Sequence, residues 1–148
     1  MYESYYGLNS KPFQLTPDPE FFFASKWHKR AMSYLQYGLS QAEGFIVITG
    51  GIGTGKTTVS RKLLQQFPDN TQVAMILNPT LSALELLATV CDELGIAYSG
   101  PQASLKYFTD LILGKLAANH QAGINTVLMV DEAQHLLPEV LEQLRLLT

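Results

Sequence analysis

The chain has 148 residues, 47% of them hydrophobic and 16% charged, which is enough to bury one core and too few to promise two. Ten basic residues against thirteen acidic give a formal charge of -3, so the chain has no general field for nucleic acid or anionic lipid, and any DNA contact would be local. The lone Cys91 excludes an internal disulfide and a cysteine-based metal cluster, no apolar run approaches the roughly 18 residues of a membrane span, and Met1-Tyr2-Glu3 does not open like a signal peptide, so a cytosolic domain is expected.

Residues 1–24 are rich in aromatics and turn formers (Lys11-Pro12, Thr16-Pro17-Asp18-Pro19) and show no helical period, so an irregular strap is expected. Ser25 caps a predicted helix to about Gln41, with Ala31, Leu35 and Leu39 on one face, and Gly44 ends the connection. The apolar run Phe45–Thr49 reads as a first strand. After the glycine-rich stretch Gly50-Gly51-Ile52-Gly53-Thr54-Gly55-Lys56-Thr57-Thr58, the residues Val59, Leu63, Leu64 and Phe67 mark one face of a helix that stops at Pro68. Val73–Leu77 reads as a second strand, apolar enough to be buried on both sides. Ser82-Ala83-Leu84-Glu85 has the form of a capping box before a helix that ends at Gly95, and Gly100-Pro101 separates this from a helix over Ser104 to Gln121. Thr126–Val130 is the third predicted strand, followed by Asp131-Glu132 and a helix that starts at Pro138. Strands alternating with helices imply a parallel sheet, because each crossover returns the chain to the same end of the sheet. Residues 1–44 read as strap and helix, and residues 45–148 as the core of one α/β domain.

The glycine-rich stretch has the pattern Gly50-x-x-x-x-Gly55-Lys56-Thr57 between a predicted strand and a predicted helix, which is the context a phosphate loop requires. Glycines let successive amides turn in on an anion, and the helix adds its positive end. Nucleotide-binding positions are then Gly50, Gly51, Ile52, Gly53, Thr54, Gly55, Lys56, Thr57 and Thr58. Lys56 would reach the β- and γ-phosphates of ATP, and the Thr57 hydroxyl would ligate Mg²⁺. About 75 residues beyond the lysine, the apolar run Val127-Leu128-Met129-Val130 ends in Asp131-Glu132, the form of a Walker B segment. Asp131 would support the metal, and Glu132 would act as catalytic base on the attacking water. His28, His120 and His135 are scattered without carboxylate or cysteine at ligand spacing, so surface or cap roles are expected. Arg61 and Arg145 read as solvated or paired helix residues, with a neighbouring subunit an alternative for Arg145. Ten of the fifteen aromatics lie between Tyr2 and Tyr37, where packing over the sheet is expected and cover for an adenine ring is the alternative.

Tyr5-Tyr6-Gly7-Leu8 with Pro12-Phe13, the strap Thr16 to Phe22, the loop Gly50 to Thr58, Ile76-Leu77-Asn78-Pro79, Cys91 to Gly95, and Asp131-Glu132-Ala133-Gln134 through Leu141 to Thr148 together resemble the general secretion pathway protein A family, the GspA/ExeA-type AAA+ ATPases of type II secretion. The resemblance spans the chain, and the aromatic strap and the segment after Asp131 carry its specific weight. It implies a P-loop NTPase fold of the AAA+/ASCE type and an ATPase at the cytoplasmic face of the bacterial inner membrane. It also implies self-association, a GspB/ExeB-like partner, peptidoglycan binding by later regions, and a role in assembling a secretin or pilus apparatus. Lys56, Thr57, Asp131 and Glu132 take the family's roles position by position. Gly51 stands where many relatives have Glu, and His135 where Asn is commoner. The family's sensor strand, arginine finger and helical lid would all lie beyond Thr148, with the sensor strand between those of the phosphate loop and of Asp131. Residues 1–148 alone are therefore expected to bind nucleotide weakly and hydrolyse it barely. Two alternatives remain: a DNA-dependent AAA+ ATPase of the transposition or replication-initiation type, though no basic loop is present and no nucleic acid is expected, and a nucleotide-binding module that does not hydrolyse, against which an intact Glu132 argues.

Overall fold

The computed structural model describes residues 2–11, 22–41, 44–77, 79–100 and 104–148, which form two units, Met1–Phe67 and Pro68–Thr148. Pro12-Phe13, the strap from Thr16 to Phe21, Asn78 and Pro101 lie outside the described residues.

In the first unit, the segment expected to be irregular throughout forms a one-turn helix, α1 (Tyr2–Tyr6). Its stop explains it: Gly7 takes φ 64°, which lets the Leu8 N–H return to the Glu3 carbonyl at 2.8 Å. A helix closed this way buries no side chain, so it leaves no periodic signal. Ser25 caps α2 (Lys26–Ser40) as expected, accepting from the His28 amide, and Met32, Leu35 and Gly38 form its buried stripe. Gly38 allows close approach, since a Cβ there would lie 2.6 Å from Ile46 Cδ1 and the Ile46 side chain would have to shift. The expected strand Phe45–Thr49 is not formed: among the described residues this stretch has no ladder partner, and Phe45 and Val47 are exposed. An apolar run has strand propensity, but a strand exists only when a neighbouring backbone satisfies its N–H and C=O groups. The third helix, α3 (Lys56–Leu64), buries Val59 and Leu63, and Gln36 donates to Gln66 at 2.7 Å to tie α2 to the residues after it. The described aromatics expected to pack over the sheet are largely on the surface, with Tyr5, Tyr6, Phe23, Trp27, Tyr34 and Tyr37 all exposed.

The second unit holds the sheet. Strands β1 (Thr71–Ile76) and β2 (Asn125–Val130) run parallel in a register from Thr71↔Asn125 to Ile76↔Val130, each within two residues of its predicted start. Helices α4 (Ala83–Glu93) and α5 (Leu105–Gln121) form the crossover, and α6 (Pro138–Leu146) follows with proline at its first turn. The capping box is present: the Glu85 carboxylate accepts from the Ser82 amide at 2.8 Å and from its hydroxyl at 2.7 Å, and the backbone bond above all holds the Glu85 carboxyl below its ordinary range. Gly95, at φ 65°, ends α4 with the Ile96 amide on the Cys91 carbonyl.

Ala74 and Ile76 of β1 meet Leu86, Leu87, Val90 and Cys91 of α4, Phe108 and Ile112 of α5, and Val140 and Leu144 of α6. Each fully enclosed aliphatic side chain contributes about 1.5–3 kcal/mol. Cys91 is a buried free thiol, its ionisation pushed up by burial. A polar lock went unread in the sequence: buried Asn119 donates at 2.8 Å to both Gln72 Oε1 and Thr126 Oγ1, joining α5 to both strands. Glu93 accepts from the Met75 amide at 3.0 Å, so a side chain covers part of the β1 edge. The sheet is parallel and flanked by helices, with two strands formed among the described residues rather than the three expected.

Candidate active site

The phosphate loop takes its shape from short-range bonds. Gly53 and Gly55 sit at φ 73° and 84°, and the turn they allow brings Gly55 to the start of α3. Lys56 folds back so that Nζ donates to the carbonyls of Gly50 at 2.9 Å and Gly51 at 2.8 Å, while Thr54 Oγ1 donates to Gly51 at 2.8 Å. The ammonium thereby spans the loop it follows. Ile52 at the tip is fully exposed. The opening amides of α3 lack acceptors within the helix, as at every helix start, and Arg61 and Lys62 in its last turn complement the dipole. A ring of amides with a cation fixed across it is suited to a polyphosphate.

His28 meets the α2 cap Ser25, in keeping with the cap role expected, and also reaches the loop, a contact not expected from the sequence. Its Nε2 lies 3.0 Å from the Thr54 carbonyl, its Nδ1 2.9 Å from Ser25 Oγ, and the Phe22 ring stands 5.3 Å from its own. The available signal was phase: His28 shares the inward stripe of α2 with Met32 and Leu35. His120 and His135 are exposed, in keeping with the surface roles expected of them. Arg145 is paired, with Glu142 at 2.7 Å on the same helix, an exposed contact of little weight for stability.

In the second unit, the Asp131 amide continues the ladder onto the Ile76 carbonyl at 2.9 Å, which sets Asp131 at the carboxyl end of β2. Open α/β sheets place ligands at that end. Glu132 is the sole described non-glycine residue at positive φ (55°), a conformation costing about 1–2 kcal/mol. Its amide donates to Asp131 Oδ1 at 2.9 Å, and its carboxylate accepts from the Gln134 side-chain amide within the 3₁₀ turn Ala133–His135. Strain held by local bonds beside an exposed carboxylate is a recurring feature of functional turns. Among the described residues no group of three or more His, Cys, Asp or Glu side chains could hold a metal ion. No described helix is long and apolar enough to cross a membrane.

Residues 39–148 match the AAA domain family. The whole chain is 52% identical to General secretion pathway protein A of Aeromonas hydrophila, of which it spans 27%. Over 135 residues, 88% of the chain, it is 29% identical to the ATP-dependent target DNA activator B of Escherichia phage Mu and of Escherichia phage D108, covering 39% of each. The chain thus spans about a quarter to two-fifths of the length of the curated relatives it matches. No solved structure matches it.

Proposed function

The chain belongs to the AAA domain family, and from that premise we propose that it binds and hydrolyses ATP to drive assembly of a secretion apparatus. The observation that carries the nucleotide reading is the Lys56 ammonium fixed across the loop at the head of α3. On binding, Lys56 exchanges the Gly50 and Gly51 carbonyls for β- and γ-phosphate oxygens, and the amides from Gly50 to Thr58 surround the phosphates. Gly50 fits this duty, since a Cβ there would meet Thr54 Oγ1 at 2.9 Å.

The hydroxyl of Thr57 and the carboxylate of Asp131 are each a hard oxygen donor of the kind Mg²⁺ takes, and each would be available to it. Mg²⁺, when bound, neutralises charge on the phosphate oxygens. Glu132 orients the attacking water and accepts its proton, with the Gln134 amide holding the carboxylate ready. The relative's name supports the secretion role. A place at the cytoplasmic face of the inner membrane, self-association, a B-type partner and peptidoglycan binding elsewhere in the whole protein are proposed with it, on the family resemblance alone.

Replacing Glu132 by Gln in the intact protein is expected to leave ATP affinity within about threefold while phosphate release falls at least ~100-fold, because an amide cannot take the proton. Normal turnover would remove Glu132 from the mechanism. A second reading, DNA-dependent ATP turnover, is supported by the likeness to the phage activators and opposed by the net charge of -3. ATP turnover that rises several-fold on adding duplex DNA at physiological salt would favour it.

A further inference from the structure

We propose that His28 is a positioning residue for polyphosphate binding, setting the orientation of the Thr54–Gly55 peptide in the loop. The proposal rests on the phosphate-loop reading. A carbonyl oxygen only accepts, so the 3.0 Å contact makes Nε2 the donor to Thr54, and Ser25 Oγ, 2.9 Å from Nδ1, selects that tautomer by donating to the other nitrogen. The peptide is trans and planar, so its N–H points opposite to its C=O. With the Thr54 carbonyl drawn towards His28, the Gly55 N–H is turned to the far face of the loop, as an amide for the anion.

The alternative peptide orientation would offer a carbonyl to the phosphates and repel them. Glycine next to the flippable plane makes the restraint necessary, because Gly55, at φ 84°, has little steric barrier of its own to rotation. Proximity narrows the choice of residue further: a Cβ on Gly55 would lie 3.2 Å from His28 Nε2, tighter than ordinary contact, so glycine lets the imidazole approach this closely. The Phe22 ring stands beside the imidazole, and Ser25 doubles as the cap of α2. His28 lies on α2, outside the span 39–148 that matches the AAA domain family, and reaches the phosphate loop from there.

The test is ATP·Mg²⁺ and ADP affinity, by calorimetry on the intact protein, for wild type and for His28→Phe, His28→Gln and Lys56→Ala. Phe retains the ring and loses the donor, and is expected to weaken both nucleotides about tenfold, the scale of one hydrogen bond to a charged ligand site. Gln supplies an N–H donor and is expected to recover most of that loss. Long-range ¹H–¹⁵N spectra of the wild-type ring are expected to show the proton on Nε2, a readout that needs no variant. His28→Phe binding like wild type while Lys56→Ala abolishes binding would overturn the brace and leave the loop reading standing. A proton on Nδ1 alone would overturn it independently. Absence of nucleotide binding in the wild type would overturn the loop reading and the brace with it.

Discussion

In residues 68–148 the strands that pair, Thr71 with Asn125 and Ile76 with Val130, are far apart in sequence, with two helices between them. In residues 1–67 the bonds that shape the phosphate loop join neighbours: Thr54 to Gly51, and Lys56 to Gly50 and Gly51. The first arrangement concentrates stability in a buried cluster around α4, where Leu86, Leu87 and Cys91 are fully enclosed. The second leaves most of its polar groups exposed and gains little stability from them. Function and stability are therefore separable by mutation: the loop is shaped for a ligand, the sheet unit for cohesion.

The largest test of that separation is Leu87→Ala. Removing a side chain with no exposed surface from the α4 core is expected to cost about 3 kcal/mol of stability through lost burial and a residual cavity, measured by urea unfolding. A cost below about 1 kcal/mol would show that this core is looser than its burial indicates. Lys56→Ala is the converse. Losing the fixed cation is expected to weaken ATP·Mg²⁺ binding about 100-fold while the urea midpoint stays put, since the lysine's bonds are to exposed carbonyls. Unchanged affinity by calorimetry would remove the loop from nucleotide binding.

The smallest effect concerns pH. Hydrogen bonds from Ser82 hold the Glu85 carboxyl below its ordinary value of 4.5, so its stabilising contribution is complete above that pH and fades as pH falls through the lower folded-state value. Thermal unfolding between pH 7 and 3 is expected to show less acid loss for Glu85→Gln than for wild type, and superimposable pH profiles would detach the capping box from the stability of α4.

Sequence alone determined whatever is encoded by neighbours. The phosphate-loop pattern, the Ser25 and Ser82 caps, the stop at Gly95, the proline start of α6 and the carboxylates after Val130 were all legible, because caps, turns and anion-binding loops act over three to six residues. Strands β1 and β2 were legible from their apolar runs to within two residues. Tertiary structure decided the rest. Phe45–Thr49 has the composition of a strand, yet composition cannot supply the neighbouring backbone that makes one. Asn119 carries no signal of its own in the sequence, and its amide gains partners only where two strands bring Gln72 and Thr126 to it. His28 carried no motif, and only the packing of α2 beside the loop set its ring against the Thr54 carbonyl. A pattern read along the chain records which groups are available, and their partners across the fold are fixed only when distant segments meet.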